Sequence, residues 1–170
     1  AGAFKSLREI AESILQMAKA YELTTIVIET AAQLRQFCAL HNGNMKGFEK
    51  YSRIINQYEN ILQAEQAADD EYCSFLFLQN QASHSPQSLA KQANEACLRL
   101  QPYAQSCTTS AFVLNFYFLK LQAAFLESEW EAVVEISNQA TQLLNRKSIS
   151  SSAKISAFFL SKALGFCFGK

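Results

Sequence analysis

Acid–base or nucleophilic chemistry in this chain would have to begin at His41 or His84, its two histidines. Both stand at junctions rich in turn residues, His41-Asn42-Gly43-Asn44 and Ser83-His84-Ser85-Pro86, and neither has a nucleophile at a recognisable spacing. Solvated loop or capping roles are expected for them. A metal would need several His, Cys or carboxylate ligands converging, yet no Cys-x-x-Cys, His-x-x-x-His or Glu-x-x-His occurs, so no metal is expected. Gly43 and Gly47 lack the strand and helix context of a phosphate loop. The run Asp69-Asp70-Glu71 reads as the acidic start of a helix, placed to meet the helix dipole. The expectation is therefore a chain that is not an enzyme and carries no cofactor.

Charge excludes further partners. Fifteen Lys and Arg balance fifteen Asp and Glu, so no net field draws in nucleic acid or an acidic membrane. Lys46, Lys50 and Arg53 share one helix side, beside Glu49 and Glu59, and read as a solvated face. Lys120 and Lys162 lie 42 residues apart within strongly apolar segments, either with stems snorkelling to solvent or as anion contacts of a groove. Cys38, Cys73, Cys97, Cys107 and Cys167 are odd in number and widely spaced, which fits buried free thiols in a reducing cytoplasm. The apolar runs 111–126 and 157–168 are shorter than the roughly 20 residues of a membrane span.

The elements that carry these residues read as helices throughout. A first, over about 4–21, places Leu7, Ile10, Ile14, Met17 and Ala18 at helical spacing, and a second over 24–41 carries Ile28, Ala31, Leu34 and Cys38. A third resumes near Lys46 with Phe48, Tyr51, Ile54, Ile55 and Tyr58, and a fourth over 66–82 carries Tyr72, Phe75, Leu76 and Leu78. Pro86 starts a fifth, which Pro102 should end. A sixth over 111–127 is apolar almost all round and must be central. A seventh over 130–144 and an eighth capped by Ser150-Ser151-Ser152 complete the chain.

Hairpins beginning at Met45, Gln87 and Trp130 recur after 42 and then 43 residues. Their registers agree: Phe48, Ala90 and Val133; Ile55, Cys97 and Ala140; Tyr58, Leu100 and Leu143. The segment Glu129-Trp130-Glu131-Ala132-Val133-Val134, followed by Ala140 and Leu143-Leu144, resembles the second half of a tetratricopeptide repeat (TPR), and Gly43-Asn44-Met45-Lys46-Gly47-Phe48 looks like the same junction one unit earlier.

The resemblance implies an all-α fold, a right-handed stack of antiparallel helix pairs forming a TPR-like α-solenoid of about eight helices. It further implies a concave groove lined by Thr30, Gln33 and Phe37, by Tyr72, Phe75 and Gln79, and by Asn115, Phe118 and Gln122. Residues 1–170 are expected to form one repeat domain, a fragment of a longer cytoplasmic protein. The function expected is a non-catalytic scaffold that binds a protein or peptide, without direct contact to nucleic acid or membrane. The alternative is a ligand- or peptide-sensing domain attached to a signalling or DNA-binding domain. The apolar final helix, with Phe158, Phe159, Leu164, Phe166 and Phe168, adds the expectation of a homodimer through that helix.

Overall fold

A computed structural model of the chain describes residues 2–41, 43–81, 84–145 and 152–168. Among them the structure is all-helical, with seven α-helices: α1(Gly2–Ala20), α2(Thr24–His41), α3(Met45–Gln79), α4(Pro86–Ala104), α5(Ser110–Leu126), α6(Trp130–Asn145) and α7(Ser152–Phe168). The expected cap at Ser150-Ser151-Ser152 lies largely outside the described residues.

One expected turn is missing. The third and fourth helices of the sequence reading are a single helix of 35 residues, α3. The segment Leu62-Gln63-Ala64-Glu65-Gln66-Ala67-Ala68 holds neither glycine, proline nor a capping residue, and its residue types all favour helix. The apolar stripe shifts round the helix there, and that shift does not require the backbone to break. Helices do start at Met45, Pro86 and Trp130, but the first of these opens no hairpin. Pro102 does not end its helix either. It sits inside the last turn of α4, where the acceptor it leaves unused belongs to solvent-exposed Leu98.

The chain divides into two compact units, residues 1–63 and 64–170. In the first, Leu15 and Ala18 of α1, Val27, Ala31, Leu34 and Cys38 of α2, and Tyr51 and Ile55 of α3 form one buried core. The face of α1 that packs is not the one its strongest periodicity marks. Ala18 is buried, whereas Leu7, Ile10, Ile14 and Met17 are exposed, because Leu15 and half-buried Ala11 meet α2 instead. One polar link joins α1 to α3, and an ion pair within α1 supports it. The Tyr51 hydroxyl donates to Glu12 Oε1 at 2.7 Å, and the Arg8 guanidinium donates to the same oxygen at 3.1 Å. Asn44 Oδ1 caps α3 by accepting from the Gly47 amide at 3.1 Å.

In the second unit α5 is central, as its all-round apolar character requires: Phe112, Val113, Leu114, Phe116, Leu119 and Leu121 are all buried. Its partners are α4, through Leu89, Ala93, Ala96 and Leu100, and α6, through Val133, Ala140 and Leu144. Phe158 of α7 is fully buried in the same cluster. Helix α7 runs antiparallel to α6, since its end meets the start of α6 where Phe168 lies 5.4 Å from Trp130. At Gly165 this approach is too close for a side chain: a Cβ there would sit 2.7 Å from Val134 Cγ2 and 3.1 Å from the Trp130 carbonyl oxygen.

Two of the tight connections use the same device. Leu23 donates to the Ala18 carbonyl at 2.8 Å and Glu22 to Lys19 at 3.2 Å, while Glu129 donates to Ala124 at 2.9 Å and Ser128 to Phe125 at 3.1 Å. Both are Schellman turns, and both place a residue other than glycine, Glu22 or Ser128, at positive φ.

Candidate functional site

Contacts between helices α3 and α5 involve three of the six second-unit residues that the repeat register singled out, Tyr72, Asn115 and Phe118. Asn115 Nδ2 donates to Asp69 Oδ1 at 3.2 Å, and Tyr72 meets Phe118 edge to face at 5.4 Å. Both pairs are separated by 46 residues, so the two helices run in the same direction over this stretch. Phe118 continues the aromatic row to Phe158 of α7, 6.5 Å away. Beside the row opens a cleft of about 490 Å³ lined by Glu65, Gln66, Asp69, Asp70, Ala111 and Asn115.

The nine groove residues differ in what they can offer. Phe75 and Asn115 are buried, and Asn115 already spends a donor on Asp69. Tyr72, Phe118 and Gln122 are half-buried and Gln79 is exposed, so these four retain surface. Burial, then Cys73 and Asp69, push the Tyr72 phenol up and keep it a neutral hydrogen-bonding group. In the first unit Thr30 is buried on α2, Gln33 is exposed and Phe37 is half-buried.

A second cleft, of about 580 Å³, lies between α4 and α5 and is lined by Asn94, Leu98, Gln101, Tyr117 and Lys120 among others. The Lys120 ammonium stands over the Phe116 ring at 5.2 Å and the Tyr117 ring at 5.4 Å, which holds its charge at the cleft rather than in bulk water. Cys97 also lines it, and burial pushes that thiol up to about 11, so it is no thiolate at neutral pH. Lys162 is half-buried on α7.

The remaining chemical candidates resolve into structural roles. The Asp69-Asp70-Glu71 run lies inside α3, in its last third and not at a helix start, which corrects the capping assignment. Asp69 accepts from Asn115, and Glu71 takes a bidentate pair of bonds from Arg99 at 2.6 and 2.7 Å. His84 Nε2 lies 3.3 Å from Gln81 Oε1, and the side chain of His41 falls outside the described residues. Lys46, Lys50 and Arg53 are exposed, with Arg53 3.9 Å from Glu49. The thiols are unbridged; Cys38 and Cys107 are buried and Cys97 is half-buried, as expected of free thiols packed in apolar faces, whereas Cys73 and Cys167 are exposed.

Among the described residues no group of three His, Cys, Asp or Glu side chains is arranged to hold a metal ion. Among them, too, no helix is long and apolar enough to cross a membrane. No protein-family model, curated protein or solved structure compared with the chain matches it.

Proposed function

We propose that the chain is a non-catalytic helical repeat module, a degenerate TPR-like stack of helix pairs, that binds a protein or peptide segment along the face of α3 and α5. The observation that carries this reading is the aligned pair of contacts, Asp69 to Asn115 and Tyr72 to Phe118, which sets two parallel helices side by side. Such a face presents preformed aromatic surface and amides, so little ordering cost falls on the receptor. Gln79 and Gln122 supply hydrogen bonds for a peptide backbone, and the carboxylates of Glu65, Asp69 and Asp70 favour a basic side chain in the neighbouring cleft. A Cys97 thiol that burial keeps protonated and a His84 set beside the Gln81 amide support the non-catalytic reading.

The test uses peptides selected from a random library on the intact chain. Tyr72→Ala together with Gln122→Ala should weaken the selected peptides at least about 10-fold, roughly 1.4 kcal/mol, with helical circular dichroism unchanged. Peptides that bind the variant as well as the parent refute this face.

A second reading, a sensing domain that transmits ligand binding to an attached signalling or DNA-binding domain, is favoured by the α4–α5 cleft and the Lys120 charge within it. Thermal stability measured across a panel of small organic carboxylates decides it. A rise that disappears in Lys120→Met supports the reading, and a flat response to the whole panel removes it.

A further inference from the structure

The cleft between α4 and α5 has a single charge in its lining. Lys120 is half-buried there, its ammonium 5.2 Å over the Phe116 ring and 5.4 Å over the Tyr117 ring, and among the described residues it forms no ion pair. Two carboxylates of the neighbourhood have other partners: Glu127 accepts from Asn94 at 3.3 and 3.5 Å, and Glu71 holds Arg99. Ring faces return only part of the hydration that a half-buried ammonium gives up, so an anion gains more here than at a fully exposed lysine. The rest of the lining is uncharged. Phe116 is buried, Leu98 and Ala104 add apolar surface, and burial keeps the Cys97 thiol neutral. Helices α4 and α5 pack as an antiparallel pair across the short connection 105–109, and the Asn94–Glu127 contact sets their register. Two turns inward from it on each helix Gln101 comes opposite Lys120, and almost one turn further Ala104 comes opposite Tyr117.

We propose that this cleft binds a small monocarboxylate with an apolar body, its carboxylate held between the Lys120 ammonium and the Gln101 amide and its body lying toward Ala104 and Tyr117. The proposal rests on the cleft of the sensing reading and deepens that reading by naming the class of ligand. The charge selects an anion, and an amide N–H opposite the ammonium suits the two oxygens of a carboxylate. The number of charges selects a monoanion. A second carboxylate would find no other cation in the lining, and toward Asn94 it would approach Glu127. The apolar surface selects the body, because polar groups brought against Leu98, Ala104 and Phe116 would lose water without a partner in return. The cavity, about 580 Å³, falls within the usual size of small-molecule sites.

The experiment titrates the full chain with phenylacetate and hexanoate, followed by amide chemical shifts in NMR, beside acetate, phenylacetamide and succinate. The two apolar acids should bind with a Kd on the order of 0.1–1 mM and shift the amides of α4 and α5 around Gln101 and Lys120. Acetate, which lacks the body, phenylacetamide, which lacks the charge, and succinate, which adds a second charge, should each bind at least about 10-fold more weakly. Lys120→Met should weaken phenylacetate about 10-fold or more, with helical circular dichroism unchanged. Gln101→Glu, at an exposed position, should do the same by placing a carboxylate opposite the ammonium, and it keeps the test decisive if Lys120→Met does not fold. Phenylacetate binding that neither substitution weakens overturns the proposal. Succinate bound through Lys120 in preference to the apolar acids overturns it and leaves the sensing reading standing, whereas no binding by any acid at about 10 mM overturns both. Binding by peptides that end in a free carboxylate, and by none of the small acids, overturns it in favour of a protein terminus.

Discussion

At the residue scale the most informative side chain is Tyr51, which is 1% exposed and yet donates to a carboxylate. Burial, then the hydrogen bond and charge of Glu12, push its phenol up to about 12, while the Tyr51 bond, ahead of Arg8, holds Glu12 below the usual carboxylate range. The sign of the linkage follows for each. A raised phenol contributes stability that is complete below about pH 10 and is lost as pH rises through about 12. A lowered carboxyl contributes stability present above the ordinary Glu pKa and lost as pH falls through the lowered one. Tyr51→Phe should cost about 1–2 kcal/mol near neutral pH and flatten part of the alkaline loss, as read by urea unfolding at pH 7, 10 and 11.5. Only part is expected because Tyr58, Tyr72 and Tyr117 are also raised by burial.

Two backbone positions permit equally direct tests. Ser128 sits at φ 60° in a Schellman turn, where a Cβ is disfavoured, so Ser128→Gly should stabilise by about 0.5–1 kcal/mol in thermal unfolding. Gly165→Ala should act oppositely and cost about 1–3 kcal/mol, because the added methyl meets backbone at Trp130 as well as Val134. None of these positions was marked by the sequence. Serine and glutamate are ordinary residues until a chain reversal forces φ positive, and Gly165 looked like any glycine in an apolar helix.

At the element scale the decisive object is α3. Its continuity rests on a stretch of helix formers around Ala64 and Ala68, both buried. Gln63→Pro, at an exposed site, should break the helix there and cost about 3 kcal/mol or more, with Gln63→Ala as the neutral control; protection of the amides of residues 60–66 from hydrogen exchange reads the difference directly. Other starts and stops were legible because local chemistry sets them. Ser85 accepts from the Ser88 amide at 3.2 Å with Pro86 at the first helical turn, and Asn44 caps α3 through its own side chain. Periodicity failed where it was asked to locate a break, since a stripe that moves round a helix looks the same as one that stops.

At the scale of the whole chain, each of the two units has its own buried core. The Arg99–Glu71 pair, well formed but with Arg99 half exposed, should matter little: Arg99→Ala is expected to change stability by less than about 1 kcal/mol in the same unfolding assay. Of the candidate residues, register placed Tyr72 and Phe118 on one face and they do meet edge to face, whereas Asn115 bonds to Asp69, which register did not name. Register could not tell that Phe75 and Asn115 are consumed by the core, because burial depends on which helix comes to lie opposite.

The amino-acid sequence by itself determined the all-helical character, most helix ends and the central place of α5, since these follow from propensity, capping and the number of apolar faces on one helix. Only the tertiary structure decided which apolar faces are covered. Leu7, Ile10, Ile14 and Met17 have the spacing of a core stripe and stand in solvent, while Leu15 and Ala18 take the packed side. The physical reason is that an amphipathic pattern records what a helix can bury, whereas burial itself requires a partner, and partners are set by the packing of the other helices.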